Sequence, residues 1–294
     1  MEAPPLARLT PLRIRGREFT WGERTFVMGI VNVTPDSFSG DGLLQDDGDV
    51  TGAAVVQSQR MADEAADLLD VGGESTRPGH APVSVETEAA RVVPVVGALR
   101  AALPDMPLSI DTTKREVAEA ALDAGADVIN DVWGVGPSDE LARLAADRGV
   151  PYIVMHNRAE PVYDNLVREV IADLARAVDR AVGLGVAFDH LIVDPGIGFG
   201  KTAEHNLVLL RDLDALRVLG RPILLGTSRK STIGKVLGGV PADQRLEGTL
   251  ATTALAIAAG ADIVRVHDVA ANVRAARVTD AIVRGRWREE GATR

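Results

Sequence analysis

The side chains best suited to chemistry in this sequence stand directly after short apolar runs. Asp111 follows Leu108-Ser-Ile, Asn130 and Asp131 follow Asp127-Val-Ile, and Asp194 follows Leu191-Ile-Val. Two carboxylates and an amide converging on one pocket need a partner rich in donors and acceptors. A flat amino-pyrimidinone heterocycle satisfies them, because its ring N–H and amino groups donate to carboxylates while Asn both donates and accepts. Lys230 could then contact the carbonyl edge.

A second group is cationic. Ser228-Arg229-Lys230-Ser231 follows Ile223-Leu-Leu, and Arg265-Val-His267 ends the last apolar run. Arg supplies a planar fork and His a switchable donor, and Ser completes a site for phosphate-like oxygens. Arg77, in Gly72-Gly-Glu-Ser-Thr-Arg-Pro-Gly79, could close over it. Asn32, at the end of the first run, adds an oxygen ligand for Mg2+ held against a diphosphate, a task that takes few protein ligands.

Each residue also has a plainer role open to it. Asp111 with Thr112 and Thr113 could cap a helix, as could Asn130 and Asp131. Asp194 before Pro-Gly could form a turn. His156 and His267 could be satisfied core histidines, and the glycines of Asp194–Lys201 are by themselves weak evidence for phosphate binding.

The elements that must position these groups are legible as an alternation. Apolar runs occur at Phe26–Val31, Asp67–Val71, Leu108–Ile110, Asp127–Ile129, Tyr152–Met155, Leu191–Val193, Ile223–Leu225 and Ile263–Val266. They are short, rich in branched aliphatics and lack a polar face, as parallel strands buried on both sides require. Between them lie Ala-rich stretches with helical spacing, among them Lys114–Ala124, Asp139–Arg148, Leu166–Leu184, Ala203–Leu219 and Leu246–Ala259. Two end in Ala-Gly-Ala-Asp, at Ala124–Asp127 and Ala259–Asp262, where glycine can close a helix. Eight strands alternating with eight helices predict a single (β/α)8 TIM barrel over residues 26–294. Residues 1–25 precede the repeat, and the alternation of Leu12–Trp21 predicts a β-hairpin covering the bottom of the barrel. In such a barrel the functional groups sit at the C-terminal strand ends, and the loops after strands seven and eight are the usual place for phosphate. Those are the positions of the residues above.

Composition narrows the partners. The chain has 294 residues with 46% hydrophobic and only 3% aromatic content, so its core must be aliphatic. It has no cysteine, which excludes disulfides, thiolate metal sites and a Cys nucleophile. A net charge of −10 disfavours nucleic acid, so an anionic ligand must be held by local cations. Only four of the 32 basic residues are lysines, and three of them (Lys114, Lys201 and Lys230) lie in the strand-end loops. No apolar run is long enough for a membrane span, and Pro4 and Pro5 stand where a secretion signal would be apolar. A cytoplasmic enzyme is the expectation.

Taken in order, eight segments resemble the dihydropteroate synthase family. They are Asn32-Val-Thr-Pro-Asp-Ser-Phe-Ser39, Val71-Gly-Gly-Glu-Ser-Thr-Arg-Pro-Gly79, Ser109-Ile-Asp-Thr112, Ile129-Asn-Asp131, Met155-His156, Asp194-Pro-Gly196 with Gly198-Phe-Gly-Lys201, Ser228-Arg-Lys-Ser231 and Arg265-Val-His-Asp268. The resemblance implies condensation of 6-hydroxymethyl-7,8-dihydropterin diphosphate with p-aminobenzoate. It implies Asp111, Asn130, Met155, Asp194 and Lys230 as pterin ligands, and Asn32, Arg77, Arg265 and His267 as the diphosphate group, with Asn32 on Mg2+. Phe38, Thr76, Arg77, Pro78, Phe199, Lys230 and Ser231 would wall the aminobenzoate site. Asp111, Lys230, Arg265 and His267 would carry the catalysis, and a homodimer is expected. The family commonly continues its first loop as Ser-Phe-Ser-Asp-Gly-Gly, whereas Gly40 interrupts that pattern here. Two other readings share the pterin carboxylates: a methyltransferase domain using methyltetrahydrofolate with a corrinoid partner, and a non-catalytic pterin-binding paralogue. The Glu-Ser-Thr-Arg-Pro-Gly and Ser-Arg-Lys-Ser loops favour the synthase over both.

Overall fold

A computed structural model describes residues 9–33, 49–74, 82–285 and 287. Its ten strands form two sheets. Strands β1 (Leu12–Ile14) and β2 (Arg17–Phe19) pair antiparallel through a two-residue turn, Arg15-Gly16, in which both residues have positive φ. That left-handed turn matches the twist of the strands it joins.

The remaining strands are β3 (Phe26–Asn32), β4 (Leu68–Gly72), β5 (Leu108–Asp111), β6 (Val128–Asp131), β7 (Tyr152–Met155), β8 (Leu191–Asp194), β9 (Leu224–Leu225) and β10 (Ile263–Val266). All neighbours are parallel, in the order β8-β7-β6-β5-β4-β3-β10-β9. A further parallel bridge, Val193 to Ile223, joins β8 to the start of β9 and closes the barrel. The strand bounds match those of the apolar runs to within two residues.

The helices are α1 (Val50–Asp63), α2 (Val85–Ala102), α3 (Arg115–Ala124), α4 (Glu140–Arg148), α5 (Leu166–Gly183), α6 (Ala203–Arg211), α7 (Ser231–Val236), α8 (Leu246–Ala258) and α9 (Val269–Val283). Two details depart from the sequence reading. The stretch 203–219 is an α-helix that breaks at Asp212 and continues as a 3-10 segment, and the six-residue α7 is an additional helix between β9 and α8.

The connectors before the strands have a common device. Gly125 and Gly260 adopt positive φ at the helix ends, as expected of such glycines. Ala65 takes the same conformation in the related Glu64-Ala-Ala-Asp67. The aspartate that follows each turn accepts a backbone N–H at the foot of a neighbouring strand. Asp67 takes that of Val27 at 2.8 Å, Asp127 that of Leu108 at 3.0 Å and Asp262 that of Ile223 at 3.1 Å. A repeated sequence signature thus satisfies amides at the base of the barrel.

Period-two alternation then sorts every strand. Val27, Leu69, Ile129, Val154, Val193, Leu225 and Val264 face outward into the helices. Phe26, Met28, Leu68, Val128, Ile153, Ile192, Leu224 and Ile263 face inward and form one cluster with Leu12, Ile14, Phe19 and Trp21 of the hairpin region. The hairpin is therefore an apolar plug in the bottom of the barrel. Phe19 packs on Phe26 with ring centroids 4.7 Å apart, and Arg15 pins the hairpin tip to Asp127 at 2.7 Å.

Candidate active site

Stepping two residues along each strand from that inward apolar layer reaches the opposite mouth. Leu68 is followed by Asp70, Val128 by Asn130, Ile153 by Met155, Ile192 by Asp194, Leu224 by Gly226 and Ile263 by Arg265. The same alternation that fills the bottom with hydrocarbon places carboxylates, an amide and a guanidinium in the upper interior. Strand register aligns Asn32 with Gly72, Gly72 with Asp111, and Asp111 with Asn130.

Arg265 is the centre of this layer. Its Nε donates to Asp70 Oδ2 at 2.6 Å and its Nη2 to Asp111 Oδ2 at 2.7 Å. Asn130 donates to the same Asp70 oxygen at 3.0 Å. The pterin and diphosphate groups separated in the sequence reading are thus joined through one guanidinium. Asp70 was missed there. Its signal was a charged residue within an otherwise aliphatic, two-sided buried run, Leu68-Leu-Asp-Val71, and it is fully buried.

The plainer role is ruled out for Asp111. Helix α3 has Lys114 at its N-cap with no side-chain cap bond, and Asp111 points to Arg265 instead. Its other oxygen, Oδ1, is buried without a hydrogen-bond partner, as is Oδ1 of Asp70. Buried carboxylate oxygens without donors are costly, so both mark this layer as more than packing. Burial pushes Asp111 up to about 7; Arg265 opposes the shift, while Asp70 and Glu88 add to it. Asp131 differs: it accepts from the Trp133 backbone at 2.8 Å and from the Tyr152 hydroxyl at 2.5 Å, which ties the end of β6 to β7.

Asp194 is buried as well. One oxygen accepts the Gly196 N–H at 2.7 Å, forming the expected turn, while burial raises its pKa against the pull of Lys230. Lys230 donates to the Ile197 carbonyl, and its ammonium lies 4.6 Å from the centre of the Phe199 ring. Burial lowers Lys230 to about 8, opposed by Asp194. Two cations and three carboxylates therefore share a buried interior, in which the charges of Arg265 and Lys230 oppose the upward shifts of Asp111 and Asp194.

Beside this pocket, His267 Nδ1 lies 3.0 Å from Ser228 Oγ, which also accepts the His267 backbone N–H at 3.1 Å. Arg229 is turned aside and forms a fork to Asp268 at 2.6 and 3.0 Å. Met155 is buried and in register with Asp194. Asn32, at the end of β3, is partly buried, whereas Ser231 is exposed at the start of α7. Lys114 is not in this pocket, for it pairs with Glu74 and Glu88. Phe38, Thr76, Arg77 and Pro78 lie outside the described residues.

The sequence matches the model of the family described as "Pterin binding enzyme" over residues 28–267. It is 49% identical to a dihydropteroate synthase of Clostridium beijerinckii, over 93% of this chain and 100% of that protein. The Xanthomonas albilineans dihydropteroate synthase crystallised with 4-aminobenzoic acid superposes with a TM-score of 0.86 at 45% identity, covering 92% of this chain and 97% of that one. The Clostridium difficile dihydropteroate synthase solved with pteroic acid gives 0.85 at 46% identity, covering 90% and 99%. Of the readings left open by the residues, these agree with the synthase. The chain belongs to the pterin-binding enzyme family and, within that family, to the dihydropteroate synthases, which are transferases.

Proposed function

We propose that the interior ring of Asp70, Asp111, Asn130 and Asp194, bridged by Arg265 and bordered by Lys230, is where this synthase performs its condensation. The substrates are 6-hydroxymethyl-7,8-dihydropterin diphosphate and p-aminobenzoate. In the reaction the bond from the exocyclic carbon to the diphosphate oxygen breaks with its electron pair leaving on oxygen. A C–N bond then forms from the lone pair of the aryl amine, and that nitrogen sheds one proton. The observation that carries the reading is the buried layer in which Arg265 bridges Asp70 and Asp111, each of which keeps one oxygen without a hydrogen-bond partner.

Asp111, Asn130 and Asp194 supply acceptors for the ring N–H and amino groups of the pterin, Met155 packs nearby, and Lys230 reaches its carbonyl edge. As the diphosphate leaves, the exocyclic carbon gains cationic character that the buried carboxylates stabilise. Arg265 and His267 hold the departing anion, with Arg77 and Asn32 beside it. Phe199, Lys230 and Ser231, with Phe38, Thr76, Arg77 and Pro78, form the aminobenzoate wall. Related synthases have been solved with 4-aminobenzoic acid and with pteroic acid, which supports the two substrate classes. No protein nucleophile is needed.

A magnesium ion would be held mainly by substrate and water. Among the described residues no group of three His, Cys, Asp or Glu side chains could hold a metal ion. Asn32 would be its protein ligand, with substrate oxygens and water completing the shell, as this cation prefers. When bound, it supplies charge stabilisation to the leaving diphosphate.

We also propose that the enzyme is a cytoplasmic homodimer. Exposed Leu207, Val236, Leu237 and Leu255 on α6, α7 and α8 support a covered face there. No described helix is long and apolar enough to cross a membrane. The test of function is purified protein with the pterin diphosphate, p-aminobenzoate and Mg2+, scored for 7,8-dihydropteroate. Well-folded protein that makes none sinks the reading.

A further inference from the structure

Lys201 ends the glycine-rich segment after β8 and has no place in the ligand sets above. Its ammonium donates to the carbonyls of Gly196 at 3.0 Å and Phe199 at 2.9 Å, and lies 2.9 Å from His156 Nδ1 and 3.4 Å from the His156 carbonyl. It therefore ties the loop after β8 to the backbone that leaves β7. That backbone is approached very closely. A Cβ at Gly196 would stand 1.8 Å from the His156 carbonyl oxygen, and one at Gly200 would stand 2.2 Å from that of Arg158. Both glycines also have positive φ. The glycines of this segment thus permit backbone-on-backbone packing, and Lys201 is the polar staple of that packing.

The staple is itself held. Burial lowers Lys201 to about 7; in its charged form it has only protons to offer, so His156 Nδ1 is then the acceptor and Nε2 carries the ring proton. Nε2–H then points to Asp173 Oδ2 at 3.1 Å, an oxygen that also receives Arg158 Nη2 at 2.8 Å. His156 is fully buried, and burial together with Lys201 lowers its pKa to about 4, so the acceptor nitrogen stays unprotonated.

Downstream, the carbonyls that Lys201 holds flank those that matter to the site. Between Gly196 and Phe199 lies Ile197, whose carbonyl accepts Lys230, and the Phe199 ring itself lies beside the Lys230 ammonium. We propose that Lys201 is a positioning residue for the aminobenzoate side of the site, acting through the Gly196 and Phe199 carbonyls. This rests on the assignment of Phe199 and Lys230 to that side. It extends the role of the glycine-rich segment, which is to fix the angle at which Phe199 and Ile197 meet Lys230.

A double-mutant cycle tests it. Lys201→Met removes the donors at similar length. It is expected to raise KM for p-aminobenzoate about tenfold and KM for the pterin diphosphate, which shares Lys230, by only about threefold. In a Phe199→Ala background the same change should cost only about twofold, because the group it positions is gone. Lys201→Gln, which keeps two amide donors, should fall between Lys201→Met and the unchanged enzyme. It takes the place of Lys201→Met in the cycle if that variant does not fold. A full tenfold effect persisting in Phe199→Ala, or an equal rise in KM for both substrates, overturns the proposal alone. Phe199→Ala with an unchanged KM for p-aminobenzoate overturns the site assignment and the proposal with it.

Discussion

Asp70 is the residue whose replacement separates the architecture of the site from its chemistry. Its carboxylate has no exposed surface and accepts from Arg265 Nε and Asn130 Nδ2. Asp70→Asn keeps the shape and removes the charge. Breaking a buried ion pair from one side costs about 3–5 kcal/mol, and Arg265 retains Asp111 here, so the low end, about 3 kcal/mol, is expected. For a chain of this size that corresponds to a melting temperature lower by about 6 °C. The catalytic effect should be of similar size in free energy. Arg265 loses one of its two anchors, and misplacement of a positioning group costs on the order of a hundredfold in kcat/KM for the pterin diphosphate. A third consequence follows from the sign of the interaction. Asp70 is among the charges that raise Asp111, so removing it should move the ionisation of Asp111 to lower pH. The assays are thermal melting by circular dichroism and initial-rate release of diphosphate from pH 5 to 9. A melt within about 1 °C of the unchanged protein, together with kcat/KM within about twofold, would refute the claim that Asp70 orients Arg265.

Lys230→Ala should abolish turnover while the melting temperature stays within about 2 °C, because the ammonium it removes is one that burial already disfavours; near-normal turnover contradicts its assigned place. The pH profile of kcat/KM for the pterin diphosphate should rise through about 7 as Asp111 ionises and fall through about 8 as Lys230 loses its proton. Asp111→Asn should flatten the acid limb, and a limb that persists in that variant assigns it elsewhere. The same shift has a stability sign. Because the folded carboxylate is raised, the protein holds a proton that the unfolded chain releases, so this contribution favours folding at low pH and is lost as pH rises toward 7. Urea unfolding at pH 5 and pH 8 should therefore differ less in Asp111→Asn. At the other end of the barrel, Phe19→Ala should cost about 3–5 kcal/mol by emptying the plug, with kcat unchanged in a rate assay at saturating substrates.

Much of this protein is legible in one dimension because parallel strands buried on both faces leave an unmistakable pattern. The eight runs, the positive-φ glycines at Gly125 and Gly260, and the hairpin at Leu12–Trp21 all follow from local rules about burial, chirality and turns. The strand-end position of Asp111, Asn130 and Asp194 follows too, since a barrel directs its strand ends to one mouth. The break at Asp212 and the extra helix α7 do not, for both fall where helical spacing and loop composition are locally equivocal.

Only the closed tertiary structure decided which of these groups meet. Arg265 lies 195 residues from Asp70 and 154 from Asp111 in the chain, and it reaches both because β10 closes on β3 and brings the last strand beside the first. Whether Asp111 caps a helix or faces a ligand, and whether Arg229 or Arg265 turns inward, depends on that closure. Local sequence offers each side chain several partners, and the closed barrel decides among them.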